Sequence, residues 1–356
     1  MKETVKWGII AAGGIARRRT LPAMSDCNNA EIIAIMDSNQ EILQSIQSEY
    51  HIPKVYYGED ELLKDPEIDA VYVASPVCFH KEQARKVIAA GKHLLLEKPL
   101  GLTLAEAEDI HRFCENAPQK IGVGMVMKHH GGHQLIRQWV QDGLLGDIIT
   151  CRAQLTCWFP DMDHNWRQYL ATAGGGALMD MGIHCIDLLR LLLKDDPAYV
   201  YGDIATKTFH YEVEDSADCL IRMKKGTTCF VDAHFNVPDV ASKNVLELYG
   251  TRGSVIASGT IGQEASGEIL LTVSDQSSGY DSAQKRGEEA GCQRVTYDKA
   301  NIYAKQITAF SDAIRHGAQV STTTWDALQT MRTVDALYRS SQEKKAINLH
   351  FGGGKI

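Results

Sequence analysis

The chain of 356 residues contains no apolar run approaching the ~20 residues needed to cross a bilayer, so a membrane-spanning role is not expected. It has no surplus of basic residues: 37 Lys and Arg face 45 Asp and Glu, a formal charge of -8, which argues against nucleic acid as a partner. Nine cysteines are present but no C-x-x-C pair, and the odd, scattered set suits reduced thiols in a cytoplasm better than a disulfide framework. The polar start Met1–Lys6 leads straight into a strand pattern, so no signal peptide is read. Internal repeats and coiled-coil heptads are also lacking.

What is there is a globular composition, with 44% hydrophobic and 23% charged residues, in a chain too long for one ordinary core. Apolar strand patterns at Val5–Ile10, Ile32–Met36, Ala70–Ala74, His93–Leu96 and Ile121–Val126 alternate with helical patterns at Gln40–Glu49, Lys81–Ala90 and Leu104–Asn116. That alternation predicts βαβ units and a parallel sheet buried on both faces. The texture then changes. A helix over Gln134–Gln141, a strand over Ile148–Trp158 and a strongly apolar helix over Ala177–Leu193 precede a series of strands from Tyr199 onwards. Short turns at Lys225-Gly226 and Gly250–Gly253 make that sheet mostly antiparallel, and helices near Ala304–His316 and Thr324–Gln342 close the chain. Polar, glycine-containing Ser277–Gly291 reads as a loop or hairpin tip. The expected fold is α/β, with a parallel-sheet domain over 1–126 and an α/β domain over 127–356 carrying a large, mostly antiparallel open sheet, whose last helices can pack back on the first domain.

Three sites carry chemistry. The turn Ala11-Ala12-Gly13-Gly14-Ile15-Ala16 follows the first strand and opens a helix, where backbone can approach a pyrophosphate and helix N–H groups meet its charge. It keeps the dinucleotide pattern only in part, because Ala11 stands at the first glycine, and such turns also occur without ligands. Asp37, at the end of the second strand, can bind the adenine ribose hydroxyls and repel a 2′-phosphate, favouring NAD over NADP; it can equally cap the next helix.

Glu97-Lys98-Pro99 closes a buried parallel strand, the end at which ligands bind in such sheets, although a Glu-Lys pair alone also suits a solvated loop. In Gly174-Gly175-Gly176…Asp180…His184…Asp187, Asp180 and His184 share a helical face on an otherwise apolar helix. A core histidine satisfied by aspartate is the plainer reading, and with no further close ligand the set is a poor zinc pattern, so no metal is expected. Trp166 and Arg167, just upstream, can stack on a sugar ring and bind a hydroxyl or carboxylate; Trp166 serves packing equally well.

Taken with Ser75-Pro76-Val77-Cys78-Phe79-His80, Val213-Glu214-Asp215 and Gly250-Thr251-Arg252-Gly253, these motifs resemble the Gfo/Idh/MocA family of glucose–fructose oxidoreductase and inositol dehydrogenase relatives over nearly the whole chain. The resemblance implies Lys98 beside the substrate hydroxyl, Asp180 and His184 as the catalytic pair, Ser75 and His80 along the nicotinamide side, and Glu97 on the cofactor ribose. Ala12, Gly13, Gly14, Ile15, Asp37 and Lys98 complete the cofactor set expected of a Rossmann dinucleotide-binding domain over 1–126, with 127–356 as the substrate and oligomerisation domain. Lys98, Lys128, Trp166, Arg167, Asp180 and His184 form the expected substrate set. His184, with a reference pKa of ~6.5, is assigned the proton and Lys98 the developing alkoxide. The run Met127–His133 departs from relatives and suggests an unusual substrate pocket.

The expected function is therefore hydride transfer between NAD(P) and a secondary alcohol of a sugar, polyol or glycoside. Two alternatives stand: redox-neutral glycoside cleavage with tightly bound NAD, and a non-catalytic dinucleotide-binding regulator. The resemblance also implies a homodimer or tetramer through the second domain's open sheet.

Overall fold

The structure, a computed structural model, describes residues 4–274, 282 and 291–349. The anticipated loop Ser277–Gly291, apart from Ser282 and Gly291, lies outside the described residues.

Six strands form the first sheet: β1 (Val5–Ile10), β2 (Ala30–Met36), β3 (Lys54–Tyr56), β4 (Ala70–Val73), β5 (His93–Leu96) and β6 (Ile121–Val123). Their order is β3-β2-β1-β4-β5-β6, all parallel, so the order reverses beside β1 and the carboxyl ends of β1, β4 and β5 flank one crevice. Both faces are covered, which is why β4 and β5 are almost purely apolar. One face receives the chain's own late helix Ile302–His316. Its Phe310 ring lies 5.5 Å from that of Trp7, and Trp7 Nε1 donates to Ser311 Oγ at 3.2 Å. The following helix, Thr324–Glu343, starts with a capping box between Thr323 and Asp326 and packs between the Leu104–Glu115 helix and the second sheet.

The second sheet has nine strands: β7 (Ile148–Thr156), β8 (Pro197–Ala205), β9 (Ser216–Met223), β10 (Thr228–His234), β11 (Val245–Gly250), β12 (Gly253–Ser258), β13 (Glu268–Val273), β14 (Cys292–Val295) and β15 (Ile347–Asn348). The order is β14-β13-β12-β11-β7-β10-β9-β8-β15, antiparallel except for the central pair β7 and β10. Alternation sorts its faces. Cys151, Ala153, Cys219, Ile221, Cys229, Val231 and Leu246 are buried against the helices. Opposite, register aligns Tyr201, Leu220, Phe230, Arg152 and Glu247 in one row on the open face, and Tyr199, Arg222, Thr228, Thr150 and Tyr249 in the next. Among the described residues no helix is long and apolar enough to cross a membrane.

Several boundaries differ from the sequence pattern for local reasons. β6 stops at Val123, because Gly124 donates back to Leu96 O and the chain turns through Val126–His129. The next helix begins at Gly131 rather than Gln134, with the His130 ring accepting the Gly132 N–H as its cap. β7 ends at Thr156, leaving Trp158 only an isolated bridge to Asn236. The glycine-cluster helix opens as a π-turn, Leu178–Gly182, before continuing as α-helix through Ile183–Leu193.

The departure at Ala11 has a backbone signature. Its φ is 63°, the left-handed region in which a Cβ costs about 1–2 kcal/mol. Ala11→Gly is expected to raise stability by about 1 kcal/mol in denaturant titration; a loss of stability would show that Ala11 is not strained.

Candidate active site

A cleft of about 880 Å³ runs along the carboxyl ends of β1, β2, β4 and β5 and continues under the second domain. Gly14, Ile15, Asp37, Ser75, Glu97, Lys98, Trp166, Arg167, Asp180 and His184 all line it, whereas Ala12, Gly13, His80 and Lys128 do not.

At the cofactor end, a Cβ built on Gly14 would meet no atom within 4 Å, so backbone faces open space where the helix begins. Gly13 is closed instead: its N–H donates to Asp37 Oδ2 at 2.8 Å, and a Cβ there would approach that oxygen to 3.1 Å. Asp37 Oδ1 accepts from Asn39 N, and Asn39 rather than Asp37 caps the following helix. An open turn, helix N–H groups and a fixed carboxylate at the end of β2 fit a dinucleotide.

In the middle, Glu97 is buried at the end of β5. Its Oε1 accepts from Tyr72 Oη and its Oε2 from Lys98 N, while burial raises its pKa against the opposing pull of Tyr72 and Lys98. A Cβ at Gly124 would stand 3.0 Å from Glu97 Oε1, so glycine is needed beside it. The Lys98–Pro99 peptide is cis. His80 sits behind this wall, 1% exposed, with Nδ1 2.9 Å from Pro99 O and Nε2 3.1 Å from Ser75 O. It therefore ties two cleft-lining segments together instead of lining the cleft. Burial lowers its pKa to about 4, so the ring is neutral and its single N–H serves one of the two carbonyls.

From the other domain, Lys98 Nζ donates to Asp180 Oδ1 at 2.6 Å and to Asp180 O at 2.7 Å, inside the π-turn. Arg167 Nε stands 3.9 Å from the same Oδ1. Burial alone would raise the Asp180 pKa, but the Lys98 and Arg167 charges outweigh it and hold the carboxyl well below the usual range. His184 is 9% exposed; its Nδ1 is buried with no hydrogen-bond partner among the described residues. Burial and then Lys98 lower its pKa to about 3, against the raising effect of Asp180. The sequence expectation of an imidazole near its reference value is thus corrected: His184 is neutral throughout the ordinary range.

Two further expectations change. Lys128 is turned away from the cleft, 3.4 Å from buried Asp187, in a separate cavity with Arg137 and Arg190 on the far side of the helix. Asp187 accordingly belongs to that rear side and not to the cleft. Of the Met127–His133 run, only Met127 lines the cleft. His130 contacts Ser266 O, and His133 contacts Met127 O and Thr260 Oγ1, so the run is packing rather than pocket. Trp166 lines the cleft with the Arg167 guanidinium over one face of its ring at 4.3 Å.

Sequence reasoning missed Tyr72, a phenol inside a wholly buried strand, and gave Glu214 only as part of a motif, without its role as a hub. Glu214 accepts from Gly176 N at 2.8 Å, Leu178 N at 2.9 Å and Tyr338 Oη at 2.8 Å, so it seats the start of the turn that carries Asp180. A Cβ at Gly176 would lie 1.9 Å from Glu214 O, which explains the glycine cluster sterically. Among the described residues no group of three or more His, Cys, Asp or Glu side chains could hold a metal.

Buried His80, His133 and His184, at about 4, 3 and 3, all lie below the ordinary histidine value of 6.5. The unfolded chain binds these protons first. Their stability contribution is therefore complete above pH 6.5 and is lost as pH falls towards the folded values. Calorimetry is expected to record a Tm drop of at least about 5 °C between about pH 7 and about pH 4.5; a flat Tm would contradict neutral burial.

Two family models match the chain: an oxidoreductase-family, NAD-binding Rossmann fold over residues 5–125, and a GFO/IDH/MocA C-terminal domain over residues 133–256. The 1,5-anhydro-D-fructose reductase of Ensifer adhaerens is 28% identical over 348 residues, covering 98% of this chain and 99% of its own. In structure, the chain is similar to aldose–aldose oxidoreductase from Caulobacter crescentus in complex with glycerol, with TM-score 0.86, 24% identity and 97% and 100% of the two chains covered. It is also similar to levoglucosan dehydrogenase in complex with NADH and levoglucosan, with TM-score 0.85, 21% identity and 97% and 99% coverage. With a Rossmann crevice, a Glu97-Lys98-Pro99 strand end and an Asp180–His184 helix meeting in one cleft, this chain belongs to the GFO/IDH/MocA family of NAD(P)-binding oxidoreductases.

Proposed function

We propose that the chain is an NAD-dependent dehydrogenase acting on a secondary alcohol of a sugar, polyol or glycoside. The observation that carries this reading is the Lys98–Asp180 contact beside a neutral His184, in the same cleft as the open Gly14 turn. The named relatives act on anhydrofructose, aldoses and levoglucosan, which supports a carbohydrate substrate. When bound, nicotinamide supplies the acceptor or donor of the hydride.

The chain's own groups do the rest. Asp180 draws Lys98 Nζ into the cleft, where the ammonium can donate to an alkoxide as charge develops on the substrate oxygen. The neutral His184 imidazole has a lone pair to accept the hydroxyl proton, and the nearby Asp180 carboxylate favours the imidazolium so formed. Arg167, braced on Trp166, offers donors to a neighbouring hydroxyl. Ser75 and Glu97 would border the cofactor, with His80 tying the Ser75 and Pro99 carbonyls together behind them. The presence of Lys98, Asp180 and His184 together disfavours a non-catalytic regulator.

NAD is favoured over NADP because Asp37 would place a carboxylate against a 2′-phosphate. The open face of the second sheet, with Tyr199, Tyr201, Phe230 and Tyr249 each 38–43% exposed, suits a second copy of this chain. Nine free cysteines, six of them buried, fit a reducing cytoplasm.

Lys98→Met is expected to lower kcat by at least about 100-fold while leaving the Kd for NAD, measured by calorimetry, within about tenfold; unchanged turnover would overturn the assignment. NAD is expected to bind at least about tenfold tighter than NADP, with Asp37→Ala narrowing the gap; equal affinities in the unaltered protein would remove Asp37 as the selector.

A further inference from the structure

Beyond the cofactor turn the cleft is lined by two chemically different sets of side chains. Lys98, Asp180, Arg167 and His184 make up a polar set. Trp158 and Met162 line the same cavity yet remain 44% and 38% exposed. Isolated apolar side chains at a surface are ordinary. These two are not isolated, since they lie in a concave site beside reacting groups.

The Trp158 ring is also held. β7 has ended two residues earlier, and Trp158 N donates to Asp239 Oδ1 at 3.0 Å while its backbone bridges to Asn236. The ring meets Phe209 edge-to-face at 5.1 Å, and Phe209 stacks on Tyr211 at 5.5 Å. Phe159 continues the series, 6.4 Å from Tyr211 and 4.9 Å from Phe235. The indole is thus gripped by its surroundings while much of its surface stays open. Trp166, by contrast, has a face covered by Arg167. A free sugar can lay one C–H face on such an indole, but its hydroxyls keep much of that surface wet. A flat apolar group joined to the sugar would cover it and release the water held there.

We propose that the Trp158–Met162 part of the cleft is a subsite for the aglycone of a glycoside, and that the preferred substrate is a sugar linked to an aromatic group. This rests on the carbohydrate dehydrogenase reading above: the sugar lies at Lys98, Asp180 and His184, and the aromatic group reaches outward to Trp158.

The test uses NADH-loaded protein and matched methyl and phenyl glycosides of glucose, galactose and mannose in both anomers, with Kd measured by calorimetry. NAD-coupled and NADP-coupled oxidation of the same compounds and of the free sugars is followed in parallel. For the sugar that is accepted, the phenyl glycoside is expected to bind at least about tenfold tighter than the methyl glycoside. Trp158→Ala should bring the two within about twofold while leaving the methyl glycoside's Kd unchanged, and Trp158→Phe should restore part of the difference. Should Trp158→Ala fail to fold, Met162→Ala and Trp158→Phe must each reduce the preference. Equal binding of the pair, or a preference that survives these variants, overturns the subsite. Oxidation of free sugars without any phenyl preference overturns the subsite alone. A Trp158-dependent phenyl preference with no oxidation by either cofactor upholds the subsite and overturns the dehydrogenase reading. Binding of no glycoside at all overturns the subsite as well.

Discussion

The contact between Lys98 and Asp180 is the constraint around which the site is arranged. Lys98 ends a strand of the first sheet, and Asp180 sits in a π-turn at the base of the second, so one ammonium joins two separately built layers. Each partner is fixed from behind. Glu97 holds the backbone N–H of Lys98 and is itself held by Tyr72, while Glu214 seats the start of the turn before Asp180 and is held by Tyr338. Two buried carboxylates, each held by a phenol, thus fix the backbone on which two catalytic candidates stand. A buried ion pair is poor evidence of net stability; its value here is positional.

Much of the fold was legible because its signals are periodic. Apolar strands alternating with amphipathic helices gave the parallel sheet, and turn chemistry gave the antiparallel one. The candidate site was legible where a residue's place on an element decides its direction. Lys98 at a strand end and Asp180 with His184 on one helix reach the cleft through local geometry alone. Lys128 was misplaced for the opposite reason. It had two faces of packing to choose from, and a buried Asp187 claimed it. Such competition between partners is tertiary, and no sequence spacing reports it.

The histidines teach the same lesson in electrostatics. Residue type suggested a group titrating near neutrality, yet burial depresses His80, His133 and His184 alike, although only His184 faces the cleft. A neutral ring is therefore the common state of the interior and does not by itself mark a base. What distinguishes His184 is its place beside the Lys98–Asp180 contact.

Trp7 and Ser311 are 304 positions apart, yet they share a hydrogen bond in the interior. The helix that shields the first strand is thus synthesised near the end of the chain, after every strand of the second sheet but its last edge strand, β15. A ribosome releasing this protein must hold the first sheet with one face uncovered for most of translation. The dinucleotide fold is consequently not a detachable module here: its packing is completed only by residues from the far end, and excision of the first 126 residues would leave Trp7 facing water.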